Sequence, residues 1–258
     1  MGTRTEYEPG TFSWMELWTT DPHEAKRFYH GLFGWQTDDA STTATLAGKA
    51  VAAIEEQPER QRSAGVPPHW LSYVTVTSAD DAAARVEELG GSVHAGPFDV
   101  ADAARVVILA DPTGAMLGLW ETRRNVGAER VNDVGCLTSN ELATDDVEAA
   151  AAFYEGLFGW SITRVEGDGG PSYWLIHHGG AAEGRNGGMR EIGPGEAGVP
   201  PAWVPYFTCA SIEETLARGV ELGGATLVGV TAIPAGRFAA LRDPQGAVFS
   251  VFEGPVDD

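Results

Sequence analysis

The stretch Phe28-Tyr29-His30-Gly31-Leu32-Phe33-Gly34-Trp35 returns as Phe153-Tyr154-Glu155-Gly156-Leu157-Phe158-Gly159-Trp160, with seven of eight positions identical at an offset of 125. A repeat of this kind in 258 residues requires two similar halves rather than one core grown to full length. Each copy also predicts a helix. Ala25, Phe28, Tyr29 and Leu32 fall at i, i+3, i+4 and i+7 and make one apolar stripe. Asp21, Pro22 and Glu24 form an N-terminal capping signal, and Gly34 suits the left-handed residue that ends a helix. In the second copy, Asp145 and Glu148 read as the matching capping box for a helix over 146–158.

Strand patterns surround these helices. Residues 11–18 alternate, placing Phe12, Trp14, Glu16 and Trp18 on one face. Short strands are predicted at 35–38, 42–46 and 50–55, which completes a βαβββ unit. Residues 57–68 are polar, end in Pro67-Pro68 and read as a linker. A second unit follows: a strand over 69–77, a helix from 79 to 89 capped by Ser78 and stopped by Gly90-Gly91, then three strands. The last two are joined by Asp111-Pro112-Thr113-Gly114, with Pro and Gly where a type I turn wants them. Residues 122–131 are charged and aperiodic, an interdomain link. The second half repeats the plan, with Ser211 capping a helix over 212–222 and Asp243-Pro244-Gln245-Gly246 closing the last hairpin. Gly-rich stretches at 167–170 and 193–198 absorb its extra length. The fold class is therefore α+β: four βαβββ modules in two tandem domains, 8–122 and 132–254. Each domain is a cup-shaped mixed sheet with helices on its outer face.

The formal net charge of −20 argues against nucleic acid or an anionic membrane as partner, because both require Lys and Arg to neutralise phosphates. No segment approaches the ~20 apolar residues of a membrane span. Two cysteines, Cys136 and Cys209, are too few for a disulfide framework and fit as small core residues. A cytoplasmic protein is expected, as a monomer with an internal pseudo-dimer or as a homodimer. No Gly-Lys-Ser/Thr loop, dinucleotide-binding glycine fingerprint or Gly-x-Ser-x-Gly elbow is present. The six histidines offer no pair with metal-site or triad spacing.

Taken together, the helix motif and its copy, the Leu89-Gly90-Gly91 and Leu222-Gly223-Gly224 helix ends and the two Asp-Pro-x-Gly hairpins resemble the vicinal oxygen chelate superfamily. That group contains glyoxalase I, extradiol dioxygenases and the fosfomycin and bleomycin resistance proteins. The chain is most similar to its tandem-domain actinobacterial type. The resemblance implies a divalent metal held by His, Gln or Glu from four strands. Carried over position by position, those places hold Trp14, Ala53, Leu71 and Gly118 in the first half, and Ser139, Gly188, Val204 and Ser250 in the second. None of the first four can ligate a metal, and two hydroxyls do not make a catalytic site. The expectation is no metal and no cofactor. A register slip could instead bring Glu16, Glu55, His69 and Glu121 together, although Glu121 lies an odd number of residues from Gly118 and so on the other face.

The resemblance places the ligand pocket in the cup. Its lining in the first half would be Trp14, Glu16, Trp18, Leu71, Tyr73, Met116, Gly118 and Trp120. In the second half it would be Ser139, Glu141, Tyr206, Ser250 and Phe252. The aromatics serve either as a stacking surface for a flat ligand or as plain core. Glu16 and Glu141, within an apolar face, need a partner, and Tyr73 and Tyr206 are candidates. Two functions with a ligand stay open, beside a structural or interaction role without one, which would show as a collapsed cup with Trp14 and Trp18 fully packed. One is a metal-independent protein that binds a hydrophobic or aromatic small molecule, for sequestration, antibiotic self-resistance or a natural-product pathway. The other is an enzyme of lyase, isomerase or hydroxylase-like type, with Glu16 or Glu141 as base and Tyr73 or Tyr206 as proton donor.

Overall fold

The computed structural model describes residues 2–38, 41–165, 172–179, 184–196 and 198–256. The first module comprises β1 (Phe12–Thr19), α1 (Pro22–Phe33), β2 (Thr43–Leu46) and β3 (Lys49–Glu56). After a short helix α2 (Glu59–Ser63) come β4 (His69–Thr75), α3 (Ala79–Glu88), β5 (Ser92–Val100), β6 (Ala104–Ala110) and β7 (Met116–Thr122). The third module is β8 (Leu137–Thr144), α4 (Val147–Phe158), β9 (Ser161–Val165), β10 (Tyr173–His177) and β11 (Arg185–Glu191). The fourth is β12 (Ala202–Thr208), α5 (Ile212–Glu221), β13 (Ala225–Ile233), β14 (Gly236–Arg242) and β15 (Val248–Glu253).

Each half is one mixed sheet. The orders are β2-β3-β1-β4-β7-β6-β5 and β13-β14-β15-β12-β8-β11-β10-β9. The first strands of the two modules pair antiparallel at each centre, β1 with β4 and β8 with β12. Each is flanked by the parallel strand that ends its own module.

Three sequence expectations require correction. The first module has three strands, because residues 35–38 make only a single bridge, Gln36 to Thr45. The Trp35 ring is drawn into the core, where Nε1 donates to the Gly135 carbonyl at 2.8 Å, and the Trp35 carbonyl contacts the His30 ring at 2.8 Å. Those contacts hold this backbone away from a ladder. The α4 cap is Asp146, whose carboxylate accepts from the Ala149 amide at 2.9 Å; Asp145 lies outside the helix. Asp146 is the residue 125 after Asp21, and with Ala149 at the third helical position there is no reciprocal box. Phe12 leaves the Trp14 face, because a register shift between Phe12 and Trp14 turns it to the other side against Trp160 and Trp203. Of the Gly-rich stretches, 167–170 lies outside the described residues, and 193–198 contains a 3₁₀ turn at Pro194–Glu196.

Two of the three apolar clusters join one module from each half. In the first, Phe28, Tyr29 and Trp35 pack with Phe207, Leu241 and Phe249. In the second, Phe153, Tyr154 and Trp160 pack with Val86, Val107 and Leu117. The repeated motifs meet at these junctions. Tyr29 donates to the Asp243 carboxylate at 3.2 Å and accepts from Trp70 Nε1 at 3.1 Å. Its counterpart Tyr154 donates to Asp111 at 2.9 Å and accepts from Trp203 Nε1 at 2.8 Å. A Cβ on Gly31 would meet Leu222 Cδ2 at 2.8 Å, and one on Gly156 would meet Leu89 Cδ2 at 2.7 Å. The glycines of the helix motif thus let the helix ends of the opposite half approach. Ser72 donates to Asn140 Oδ1 at 2.6 Å where β4 meets β8 across the halves.

Candidate functional site

The concave face of each sheet is the candidate site. In the first cup, β1 presents Trp14, Glu16 and Trp18, and β4 presents Leu71 opposite Glu16 and Tyr73 opposite Trp14. The parallel neighbour of Tyr73 is Gly118 on β7, with Met116 and Trp120 on the same strand. Trp14, Tyr73 and Trp120 are each 2% exposed, and their rings lie 5.6–6.0 Å apart in edge or tilted contacts. Two segments outside the modules cover this floor. Tyr7 of the N-terminal arm packs on it and donates to the Ala128 carbonyl at 2.5 Å. Residues 122–131, read as a plain link, bring Ala128 and Val131 into the same cluster. The Ala128 amide is tied to Ser13 at 2.7 Å, and Trp120 Nε1 donates to Asn125 at 2.9 Å.

Glu16 stands at the rim of that floor. Tyr73 donates to its carboxylate at 2.5 Å and Trp14 Nε1 at 3.3 Å. Burial pushes its pKa up to about 7 against the pull of the Tyr73 hydrogen bond, and nearby Glu55 adds to the rise. The Tyr73 hydroxyl is driven well above its ordinary value by burial and by Glu16.

The second cup has the same frame with different filling. Ser139 pairs with Tyr206, Glu141 with Val204 and Gly188, and Tyr206 with Ser250; Phe252 lies further along β15. Where Trp14, Leu71 and Trp120 are buried, their counterparts Ser139, Val204 and Phe252 are partly exposed. Phe238 of β14 adds its ring 5.9 Å from Tyr206. Glu141 accepts from Arg190 Nε at 3.1 Å, and the phenols of Tyr173 and Tyr206 lie close enough to oppose the rise in its pKa. Arg190 is held from behind by both Glu196 oxygens at 2.7 Å. Burial raises the Glu141 pKa, with Arg190 as the main opposing influence. Burial and the Glu141 charge raise Tyr173 and Tyr206. Tyr173, Arg190 and Phe238 escaped the sequence reading. Arg190 was legible as the position matching Glu55, but Tyr173 reaches the cup from β10, two strands away from β8.

The expected metal positions carry no donor set. Trp14, Ala53 and Leu71 belong to one apolar cluster. Each cup also places a tyrosine over a glycine at one of these positions. A Cβ on Gly118 would lie 2.1 Å from Tyr73 Cδ1, and one on Gly188 would lie 2.0 Å from the Tyr173 hydroxyl. The slipped site does not form: Glu121 accepts from the Ala79 amide at 2.8 Å, capping α3 on the helix side, and His69 Nδ1 contacts the Pro67 carbonyl at 2.9 Å. Among the described residues no three His, Cys, Asp or Glu side chains gather to hold a metal ion. Cys136 and Cys209 are buried free thiols, with pKa values pushed up by burial to about 12 and about 11. Among the described residues no helix is long and apolar enough to cross a membrane.

A pair of concave mixed sheets built from βαβββ units, the first of them lacking the strand at 35–38, with a polar cluster at each floor, defines a class. The sequence profile of the glyoxalase/bleomycin resistance protein/dioxygenase superfamily matches residues 11–119 and 135–251, and the chain belongs to that superfamily. Among its relatives, a putative glyoxylase, CFP32, of Mycobacterium bovis is 41% identical over 262 residues, covering 98% of each chain. The anthracycline biosynthesis protein DauV of Streptomyces sp. strain C5 is 35% identical over 269 residues, covering 96% of this chain and 95% of that one. Among solved structures, the Mn(II)-bound glyoxalase of Novosphingobium aromaticivorans superposes with a TM-score of 0.65 at 14% identity, over 95% of this chain and 82% of that one. The 2,3-dioxygenase LapB of Pseudomonas sp. KL28 gives 0.63 at 13% identity, over 96% and 93%. At such identities these two speak to the fold.

Proposed function

We propose that the protein binds a hydrophobic or aromatic small molecule in its second cup, without a metal, in the cytoplasm, as part of natural-product handling or self-resistance. The observation that carries this reading is the asymmetry of the cups. The first is filled by Trp14, Tyr73 and Trp120 and covered by Tyr7, Ala128 and Val131. The second leaves Ser139, Val204, Phe238 and Phe252 partly accessible around Glu141. Aromatic walls with one hydrogen-bonded carboxylate suit a flat ligand carrying a hydroxyl or carbonyl. The kinship with an anthracycline biosynthesis protein supports the ligand class. The test is calorimetric titration with a polycyclic hydroxyquinone, with and without a chelator. Micromolar or tighter binding that is lost in Phe252→Ala and indifferent to chelation is expected. Binding or turnover abolished by metal removal would refute it.

One observation favours a second reading, an enzyme using acid–base chemistry. In each cup a tyrosine lies beside a carboxylate whose pKa is raised; in the first, Tyr73 donates to Glu16 at 2.5 Å and the Glu16 pKa rises to about 7, the range a general base needs near neutral pH. Turnover of a polyketide-like aromatic that disappears in Glu141→Gln, with binding retained, would establish it. Unchanged turnover in Glu141→Gln and Glu16→Gln would dismiss it.

A further inference from the structure

A cleft of about 320 Å³ lies beside the second cup, between the N-terminal arm and the start of β8. Arg4 and Thr11 line it from the arm, Thr138 and Ser139 from β8, and Arg185 from the start of β11. The arginines are the unusual part. The chain has fifteen, and eleven of them hydrogen-bond or ion-pair through the side chain with a carboxylate, carbonyl or hydroxyl. Arg4, Arg60, Arg185 and Arg242 have no side-chain hydrogen bond or ion pair among the described residues, and two of these four line this one cleft. The hydroxyls of Thr11, Thr138 and Ser139 are likewise without a hydrogen-bond partner among the described residues. Two carboxylates also border the cleft. These are Glu6 and Glu8, both exposed on the arm, and Glu8 contacts His178 Nε2 at 3.2 Å, so the two arginines must outweigh two negative charges at the cleft mouth.

We propose that this cleft receives the carboxylate of an aromatic acid whose rings lie in the second cup. A protein with a net charge of −20 repels anions at long range, so a retained anion must be held by donors at short range. Guanidinium groups and hydroxyls without internal partners are such donors, and arginine matches a carboxylate in bidentate geometry. Ser139 links the two regions: it lines the cleft and also pairs with Tyr206 on the cup face. The ligand is therefore bipartite, with an apolar ring system against Tyr206, Phe238 and Phe252 and an acid group toward Arg4 and Arg185. This assignment rests on the small-molecule reading of the second cup and narrows it to aromatic acids.

The experiment is titration of the full chain with anthraquinone-2-carboxylate and with the matching carboxamide. The acid is expected to bind about tenfold or more tightly than the amide at low salt, with the gap closing as ionic strength rises. Arg185→Gln and Arg4→Gln should each erase most of that gap and leave the amide unchanged, while Arg60→Gln and Arg242→Gln should alter neither. Equal binding of acid and amide, with the amide lost in Phe252→Ala, would overturn the acid site while sparing the ligand-binding cup. Failure of both probes to bind would overturn the cup reading and this one with it.

Discussion

Glu16 shows how strongly one side chain can be set by its surroundings. Its folded pKa of about 7 lies above the ordinary value of 4.5 because burial penalises the charge. The folded state therefore holds this proton more tightly than the unfolded chain does. The associated stability is fully present below about pH 4.5 and is lost as pH rises through about 7. A shift of this size corresponds to roughly 3 kcal/mol as an upper figure. Urea unfolding at pH 5 and pH 8 should show a larger loss in the wild type than in Glu16→Gln; parallel losses would contradict this assignment. Gly118 makes a steric statement about the same cup. Gly118→Ala must push the Tyr73 ring away, and a destabilisation of about 1–3 kcal/mol is expected from that overpacking. Calorimetric melting measures it, and an unchanged melting temperature would show that the ring yields freely. Neither Tyr73 over Gly118 nor Tyr173 over Gly188 was readable in the sequence: the first contact joins strands 45 residues apart, and the second depends on the register in which β10 pairs with β11.

At the scale of elements, the repeated helix motif acts across the molecule. Tyr29 and Tyr154 each receive a tryptophan N–H and donate to an aspartate of the opposite half's Asp-Pro-x-Gly turn. Tyr29→Phe leaves Trp70 Nε1 and one Asp243 oxygen buried without this partner, at a cost of about 1–3 kcal/mol. Tyr154→Phe should cost a similar amount. Chemical denaturation of both variants measures this, and a loss in only one would break the pseudo-symmetry. The capping residues offer a sharper contrast. Asp146→Ala should lower stability by about 1 kcal/mol, whereas Asp145→Ala should stay within about 0.5 kcal/mol. The helices themselves were legible because caps, stripes and glycine stops are local signals. The strand at 35–38 was not, because Trp35 and His30 divert that backbone to contacts outside its own segment.

The whole molecule is organised by cores shared between halves. Cutting the chain at the link would expose the faces built by Phe28, Tyr29 and Trp35 in one piece and by Phe207, Leu241 and Phe249 in the other. Either half alone should therefore self-associate or aggregate, and co-expressed halves should recover a one-to-one complex on size exclusion. Two separately soluble, monomeric halves would contradict this. The arm and the link make the halves unequal, since both lie over the first cup and its Trp14–Tyr73–Trp120 floor.

The sequence by itself determined the repeat, the order of strands and helices apart from residues 35–38, the superfamily and the residue types at the expected metal positions, because each is written in local pattern and spacing. Only the tertiary structure decided that the helix motifs bind the opposite half, that Trp14, Leu71 and Trp120 are buried where Ser139, Val204 and Phe252 stay partly exposed, and that Tyr173 and Arg190 come near Glu141. Those outcomes depend on where distant segments meet in space. Burial, which raises the pKa values of Glu16 and Glu141, exists only once they have met.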